Sequence, residues 1–271
     1  MTSSVPVVLS EDAIARFGPT PARTFAANLK AVQTRIAAAC HRCGRSPEDV
    51  RLLAVTKTVP APVLRHAFAA GITSFGENRL QEARDKQAAL DDLAIRWSII
   101  GHLQTNKVKY LARLASEFHA LDSLRLAEEL NRRLDALGRD LDVFVQVNTS
   151  GEASKYGLSP DGLMAFVDRL PDYPRLKPRG LMTLAIFSTD TARVQTCFRL
   201  LRRLRDQAVA VHPGLQQLSM GMSSDFETAI LEGADIVRVG QAIFGPRPTP
   251  DSLYWPGLCP SAPPDAASDA P

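Results

Sequence analysis

The sequence predicts a closed (β/α)₈ barrel, the TIM barrel fold, preceded by one extra helix. Three observations favour this fold. Short apolar runs alternate strictly with segments of helical periodicity. Eight such alternations fit within about 230 residues, a usual length for this barrel. The apolar runs end in polar residues or glycine. Strict alternation implies parallel strands joined by crossover helices, and a doubly wound open sheet is the alternative.

The strands are predicted from apolar, β-branched runs that turn-forming or polar residues interrupt. In chain order they cover residues 51–57, 72–78, 95–101, 118–122, 141–148, 175–184, 215–221 and 234–240.

The helices are predicted from apolar residues spaced three and four apart. The extra helix covers 24–40, before the first strand. The helices that follow the strands cover residues 61–70, 79–90, 103–115, 123–138, 160–170, 190–211 and 225–234. We expect Ser123 to cap its helix, and Ser224 and Glu227 to form a capping box.

One folded domain is predicted between two flexible tails. The tails are rich in Pro, Ala and Ser, and the second has few groups to bury. The predicted boundaries are 1–22 for the N-terminal tail, 23–250 for the barrel and 251–271 for the C-terminal tail.

The composition excludes several classes of protein. With 45% hydrophobic and 23% charged residues, the chain is an ordinary globular protein. A net charge of +3, from 32 basic and 29 acidic side chains, is too balanced to indicate nucleic-acid binding. No apolar stretch approaches the roughly 20 residues of a membrane span, and the N-terminus does not resemble a secretory signal. We therefore expect a cytoplasmic protein that binds neither nucleic acid nor membrane.

Cys40 and Cys43 form a CxxC pattern. A structural zinc site normally needs four ligands, and only His41 lies close by. The pattern therefore predicts a helix end closed by Gly44, with no metal, and leaves a redox role of the two thiols open.

Two cations lie at the ends of strands that a closed barrel makes neighbours. Lys57 ends the first strand before Pro60, and Arg238 interrupts the apolar run of the eighth. A partly desolvated lysine beside another cation is favoured as the neutral amine, which can form a Schiff base with a carbonyl. The alternatives are a lysine that reaches the solvated rim and a structural ion pair between Arg238 and a barrel carboxylate.

The loops after the seventh and eighth strands predict a phosphate site. Ser219, Gly221 and Ser223 lie in the first loop, and Gly240 and Gln241 in the second. Amide groups at helix starts bind anions, and barrels commonly bind phosphate at these two loops. The alternative is that the glycines only permit tight turns. The stretch "GQAIFG" lacks the Lys-Ser/Thr ending of a P-loop, so nucleotide hydrolysis is not indicated.

Six motifs in order resemble the pyridoxal phosphate homeostasis proteins of the YggS/PROSC type. They are "LLAVTKT", "FGENRLQEA", "IGHLQTNK", "RGLMT", "LSMGMSSDFETAI" and "VRVGQAIFGPR", within residues 24–247. The resemblance implies a barrel like the N-terminal domain of alanine racemase. It implies that Lys57 carries pyridoxal 5′-phosphate (PLP) as an aldimine and that Arg238 faces the pyridine nitrogen. It also implies a cofactor site that includes Asn78, Ser219, Gly221, Ser223, Gly240 and the backbone N–H of Gln241.

The sequence departs from the family pattern at two positions. Family members often have Thr at the position of Gln241 and His at the position of Ser98. The first departure removes a threonine hydroxyl that would contact the phosphate, and the second changes the packing inside the barrel.

The function that the resemblance implies is PLP homeostasis without robust catalytic turnover. An Arg at the pyridine nitrogen keeps its own proton, so the ring is a weak electron sink. We expect a monomeric carrier or regulator that holds PLP and passes it to PLP-dependent apoenzymes. The alternatives are a PLP-dependent racemase or decarboxylase on the same barrel and a cofactor-free Schiff-base aldolase.

Overall fold

Eight parallel strands close into a barrel in sequence order. The computed structural model describes residues 9–248. The strands are β1 Arg51–Val55, β2 Ser74–Glu77, β3 Arg96–Ile99, β4 Glu117–Leu121, β5 Leu141–Gln146, β6 Leu176–Met182, β7 Gln217–Met222 and β8 Ile236–Val239. Each strand pairs with the next, and β8 pairs with β1. The predicted closed barrel is confirmed, and the open sheet is wrong.

Every predicted helix is present, and two of them begin with a short 3₁₀ turn. The helices are α1 Glu11–Phe17, α2 Pro21–Arg42, α3 Ala61–Ala69, α4 Leu80–Ala89, α5 Val108–Leu114, α6 Leu124–Asp135, α7 Leu163–Val167, α8 Thr191–Val211, α9 Phe226–Leu231 and α10 Gln241–Phe244. The 3₁₀ turns are Pro47–Asp49, Thr105–Lys107, Pro160–Gly162 and Leu170–Asp172.

Helix α6 shows how the sequence pattern builds the outer layer. Leu126, Leu130 and Leu134 lie four residues apart and are buried, so they form one apolar stripe against the barrel. Burial of each leucine contributes about 1.5–3 kcal/mol. The helix begins where predicted, because the Ser123 hydroxyl accepts a hydrogen bond from the Leu126 amide at 3.3 Å.

The predicted capping box at Ser224 and Glu227 is wrong. Helix α9 begins one residue later, after Asp225, whose carboxylate accepts a hydrogen bond from the Met222 amide at 2.5 Å. Glu227 instead forms an ion pair at 2.7 Å with Arg35 of α2. A long-range charge partner has replaced the local contact that the spacing suggested.

The predicted N-terminal tail is partly wrong, because α1 folds within it. Ser10 caps this helix by accepting a hydrogen bond from the Ala13 amide at 3.2 Å. Phe17 is buried and packs edge-on against Phe25 of α2, with ring centroids 6.1 Å apart. Residues 9–22 are therefore part of the folded domain. The rest of that tail, 1–8, and the predicted C-terminal tail, 251–271, lie outside the described residues.

The CxxC pattern lies at the end of α2, as predicted. Cys40 is in the last turn, Cys43 follows the helix, and both thiols are unpaired. Gly44 has a φ of +70°, the left-handed conformation that commonly ends helices. Burial raises the pKa of the Cys40 thiol, which disfavours the reactive thiolate.

Within residues 9–248, the structure contains no helix with the length and apolar character needed to cross a lipid bilayer.

Candidate functional site

A cavity of ≈ 940 Å³ opens at the carboxyl ends of the barrel strands. Chemistry in this fold is located at that end of the barrel. Six of the eight predicted site residues line the cavity: Lys57, Asn78, Ser223, Arg238, Gly240 and Gln241. The prediction therefore grouped residues that share one cavity although they lie up to 184 positions apart in the sequence, from 57 to 241.

The cavity lining is strongly cationic. Its Lys and Arg side chains are Arg16, Lys57, Arg79, Lys155, Arg238 and Arg247. Among the described residues that line it, Glu152 supplies the one carboxylate, and that carboxylate pairs with Lys155. Such a lining favours an anionic ligand, because its described cationic side chains outnumber its described carboxylates.

Lys57 lies in a loop with a strained neighbour. The Thr56 amide still donates to the Gly76 carbonyl at 3.0 Å, which continues the β1–β2 ladder beyond the strand. Thr58 then adopts a φ of +65°. A β-branched residue rarely takes this left-handed conformation, and the surrounding structure must hold it there. The strained residue, Thr58, directly follows Lys57, whose side chain is predicted to supply the reactive amine.

An ion cluster of buried Glu77, buried Lys86 and partly exposed Glu82 holds this loop in place. The Lys86 ammonium donates to the Thr56 carbonyl at 2.7 Å and to one carboxylate oxygen each of Glu77 and Glu82 at 2.6 Å. That Glu82 oxygen also accepts from the Thr58 amide at 2.7 Å. Both sides of Lys57 are thereby fixed by one ion cluster.

Burial and mutual charge set the protonation within this cluster. Burial raises the pKa of Glu77 to about 7, although the Lys86 ammonium opposes the shift. The cluster was not predicted. The i,i+4 spacing of Glu82 and Lys86 on α4 was a visible signal, but it usually indicates an exposed helix pair.

Arg238 projects from β8 into the same cavity and is 3% exposed. Its guanidinium donates to the Ser219 hydroxyl at 2.9 Å and to the Thr183 carbonyl at 2.7 Å. Burial lowers the pKa of Arg238 to about 10, and the charge of Asp225 opposes the shift. The side chain thus stays protonated at neutral pH. Both acceptors are neutral oxygens, so these contacts are not the structural ion pair considered as an alternative.

A chain of hydrogen bonds leads from Arg238 through the barrel interior. The Ser219 hydroxyl lies 3.0 Å from Nδ1 of His119, and Nε2 of His119 lies 3.1 Å from a Glu117 carboxylate oxygen. Burial lowers the pKa of His119, so the neutral imidazole is favoured. With a neutral ring, each group donates to the next: Arg238 to Ser219, Ser219 to His119, and His119 to Glu117.

Glu117 ends this chain at the opposite end of the barrel. It also accepts from the Arg51 guanidinium at 2.9 Å and from the Ser98 hydroxyl at 3.0 Å. Burial raises its pKa, but the contacts with His119 and Arg51 outweigh burial and hold it well below the usual range. Ser98, where the family often has His, thus has a defined interior partner.

Ser219 and Gly221, the other two predicted site residues, are not among the described residues that line the cavity. The Ser219 side chain is fully buried and bonds to Arg238 and His119 beneath the cavity. Gly221 has a φ of +93°, and a Cβ there would lie 2.6 Å from the Cβ of Ala229. Ser219 therefore supports Arg238, and Gly221 permits a tight turn against α9.

The two predicted phosphate loops are joined to each other. The Gly240 amide donates to the Ser223 hydroxyl at 3.2 Å. Gln241 begins α10, and the first amides of a helix have no acceptor within it. A Cβ on Gly240 would lie 2.9 Å from the Val55 carbonyl, so only glycine fits without a shift. Together the loops present amide and hydroxyl groups to the cavity.

Asn78 borders the cavity just after β2. A Cβ on Gly101 would lie 2.1 Å from the Asn78 carbonyl oxygen, so the loop after β3 packs closely on its backbone. In the loop after β5, the Lys155 ammonium donates to the Ala185 carbonyl at 2.7 Å and so connects this loop to the loop after β6. The rim is therefore closed by backbone contacts around the lining side chains.

Comparison with known proteins finds close relatives. The family model described as alanine racemase, N-terminal domain, matches residues 27–248. A protein of Pseudomonas aeruginosa named pyridoxal phosphate homeostasis protein is 44% identical over 224 residues, which cover 83% of this chain and 96% of that protein. A protein of the same name from Aquifex aeolicus is 43% identical over 220 residues, 81% of this chain and 96% of the relative.

A solved structure extends the comparison to the fold. PipY of Synechococcus elongatus, determined with PLP bound, superimposes with a TM-score of 0.69 at 37% identity. The match covers 79% of this chain and all of PipY (100%).

Proposed function

The chain belongs to the family of the pyridoxal phosphate homeostasis proteins, and from that premise we propose that it binds PLP in the cavity at the carboxyl ends of the strands. It acts in the homeostasis of this cofactor. The observation that carries the proposal is the meeting of Lys57 and Arg238 in one cationic cavity beside two joined, glycine-containing loops.

The residues present fit the chemistry of PLP. The phosphate is an anion, and Ser223, Gly240 and Gln241 offer a hydroxyl and backbone amides at a helix start. Gly240 leaves room where any side chain would contact the Val55 carbonyl. These three residues would hold the phosphate.

The remaining roles follow from the same lining. Lys57 would supply the amine that holds the aldehyde, and Arg238 would face the ring nitrogen, with Asn78 beside the ring. PLP, when bound, supplies a carbonyl that condenses with amines and a ring that withdraws electrons. Arg238 is itself held by Ser219 and Thr183, so its guanidinium has little freedom to turn away.

The chain is proposed to be a carrier or regulator rather than a catalyst. Arg238 keeps its proton at neutral pH, since its pKa is about 10, so it donates a hydrogen bond and leaves a ring nitrogen unprotonated. This weakens the electron withdrawal that racemisation and decarboxylation need. In addition, the matching family model describes one domain of alanine racemase, the N-terminal one.

The partners and location of the protein are part of the same proposal. Holding PLP reversibly suits delivery to PLP-dependent apoenzymes, and we propose that the chain does this as a monomer in the cytoplasm. Size-exclusion chromatography with light scattering tests the monomer, and transfer of PLP from the loaded protein to an apoenzyme tests the delivery. Fractionation of cells tests the location.

Borohydride reduction of the PLP-loaded protein, followed by peptide mass mapping, tests the site. We expect a pyridoxyl adduct on Lys57, and its loss in Lys57→Ala. Lys155→Ala is the matched control, because Lys155 also lines the cavity. Adduct on Lys155 in the wild-type protein, or binding of PLP that survives unchanged in Lys57→Ala, would contradict the assignment.

The racemase or decarboxylase alternative has its own test. The loaded protein is incubated with single amino acids, and the enantiomers and amines are measured over many turnovers. Steady turnover that disappears in Lys57→Ala would establish catalysis and overturn the carrier proposal.

A further inference from the structure

Helix α1 lies outside the region that matches the family model, yet it reaches the site. The match begins at residue 27, whereas α1 covers Glu11–Phe17. Arg16, in the last turn of α1, lines the same cavity as Lys57. An added segment thus contributes a side chain to the candidate cofactor site.

The contact of Arg16 is directed at the strained residue beside Lys57. One terminal nitrogen of its guanidinium donates to the Thr58 carbonyl at 2.7 Å, and the other donates to the Thr58 hydroxyl at 3.2 Å. The planar fork of arginine holds its two donors in a fixed geometry that matches these two acceptors, whereas a lysine ammonium is a point charge on a flexible chain. Arg16 therefore binds the carbonyl and the hydroxyl of Thr58, while Glu82 accepts a hydrogen bond from the Thr58 amide.

Helix α1 packs on α2, which in turn contacts the last residue of α10. Phe17 packs on Phe25, and Phe25 packs edge-on against Phe244 with ring centroids 5.2 Å apart. Phe244 ends the short helix that Gln241 begins. The Arg16 guanidinium also stacks over the Phe17 ring, 4.5 Å from its centroid. Helix α1 thus links the Lys57 loop to the proposed phosphate loop.

We propose that Arg16 is a positioning residue for Lys57 and that α1 slows the release of bound PLP. The proposal rests on the function proposed above. Thr58 keeps a left-handed conformation only while its surroundings hold it there. Without the Arg16 fork, Thr58 relaxes toward an ordinary φ, and the backbone of Lys57 turns with it. The amine of Lys57 then leaves the position that it takes in the cavity.

The test measures how fast PLP leaves the loaded full-length protein. A phosphatase in excess consumes released PLP, and the loss of bound-cofactor absorbance gives the release rate. We expect release to be at least about tenfold faster in Arg16→Ala, because losing even one of the two charge-assisted hydrogen bonds to Thr58 has roughly this effect. Arg16→Lys gives an intermediate rate, because an ammonium does not form the bidentate fork. Arg23→Ala, an exposed arginine on α2, keeps the wild-type rate.

A second variant separates positioning from simple stabilisation. Glycine adopts φ +65° without strain, so the double variant Arg16→Ala/Thr58→Gly should release PLP more slowly than Arg16→Ala alone. A role limited to fold stability predicts no such recovery. Wild-type release from Arg16→Ala, or equal acceleration in Arg23→Ala, would overturn the proposal. Failure of the proposed function is distinct, because the wild-type protein would then show no adduct on Lys57 after borohydride reduction.

Discussion

Removing the buried ammonium beneath the Lys57 loop should destabilise the whole domain. Lys86→Met keeps most of the side-chain volume but removes three hydrogen bonds of 2.6–2.7 Å, to Thr56, Glu77 and Glu82. The Glu77 side chain is fully buried, and one of its oxygens has no hydrogen-bond partner among the described residues. After the substitution, the Thr56 hydroxyl is the donor that remains for Glu77.

The expected magnitude follows from the burial of the pair. Breaking a buried ion pair by removing one partner costs about 3–5 kcal/mol. A domain of this size has a total stability of about 5–15 kcal/mol. The loss therefore lowers the melting temperature by roughly 6–20 °C, at about 2–4 °C per kcal/mol. The Lys86→Met variant should still fold, but with a clearly lower stability than the wild-type protein.

The pH dependence identifies Glu77 as the cause. Burial already raises the pKa of Glu77 to about 7 with Lys86 present, and removal of the ammonium raises it further. A raised pKa in the fold means that the folded state takes up a proton more readily than the unfolded chain. Stability therefore falls as the pH rises from about 4.5 through the folded value. The deficit of Lys86→Met should be largest at pH 8 and smaller at pH 5.5.

Urea unfolding at pH 5.5, 7 and 8 measures these differences, with Trp97 fluorescence as a probe, because this residue is buried. The double variant Lys86→Met/Glu77→Gln should recover most of the loss and lose the pH dependence, since no fully buried charge is then left unpaired; Glu82 also loses Lys86 but is partly exposed and keeps its hydrogen bond from the Thr58 amide. A deficit under 1 kcal/mol, or one that is equal at all three pH values, would refute the reasoning.

Three further outcomes are expected in unfolding experiments. Glu117 has a strongly lowered pKa in the fold, so its stabilising effect is lost as the pH falls below about 4.5, and Glu117→Gln should flatten this acid limb. His119→Phe removes one buried hydrogen-bond partner from Ser219 and one from Glu117, although each keeps its other contacts, and should cost about 2–4 kcal/mol at pH 7. Gly221→Ala should lower the free energy of unfolding in urea by about 2–4 kcal/mol, because φ is positive there and the new Cβ would lie 2.6 Å from its neighbour. Gly233→Ala is the control: its φ is also positive, but the new Cβ would lie 3.5 Å from its nearest neighbour, so the loss should be about 1 kcal/mol.

The barrel was predictable because its strands are buried on both faces and therefore read as continuous apolar runs. The residues at which the strands end were harder to predict. The first strand was predicted to continue to Lys57 but ends at Val55, because the Lys86 ammonium takes the Thr56 carbonyl and Thr58 turns left-handed. These causes come from α4, some 30 residues away, and leave no mark on the strand sequence.

The candidate site was predictable where strand ends alone decide position. Lys57, Asn78 and Arg238 lie in the cavity because the carboxyl ends of parallel strands meet at one rim. The contacts of Ser219 with His119 and Arg238 could not be predicted, because they depend on partners in the barrel interior. Helix α1 was missed because Phe17 and Ala13, its two buried residues, are too few to show helical periodicity.

The pairing of charges explains how an anion can bind near the carboxylates of Glu77, Glu82 and Glu117. Glu77 and Glu82 share the Lys86 ammonium, and Glu117 pairs with Arg51 at the far end of the barrel. Each of these carboxylates thus has a cationic partner that does not line the cavity, so the described lining keeps more cationic than anionic side chains. Lys86→Met should consequently weaken PLP binding at pH 8, where Glu77 is ionised, more than at pH 5.5, and equilibrium titration with PLP at the two pH values measures the difference. Equal weakening at both would show that the cluster acts on the loop geometry alone.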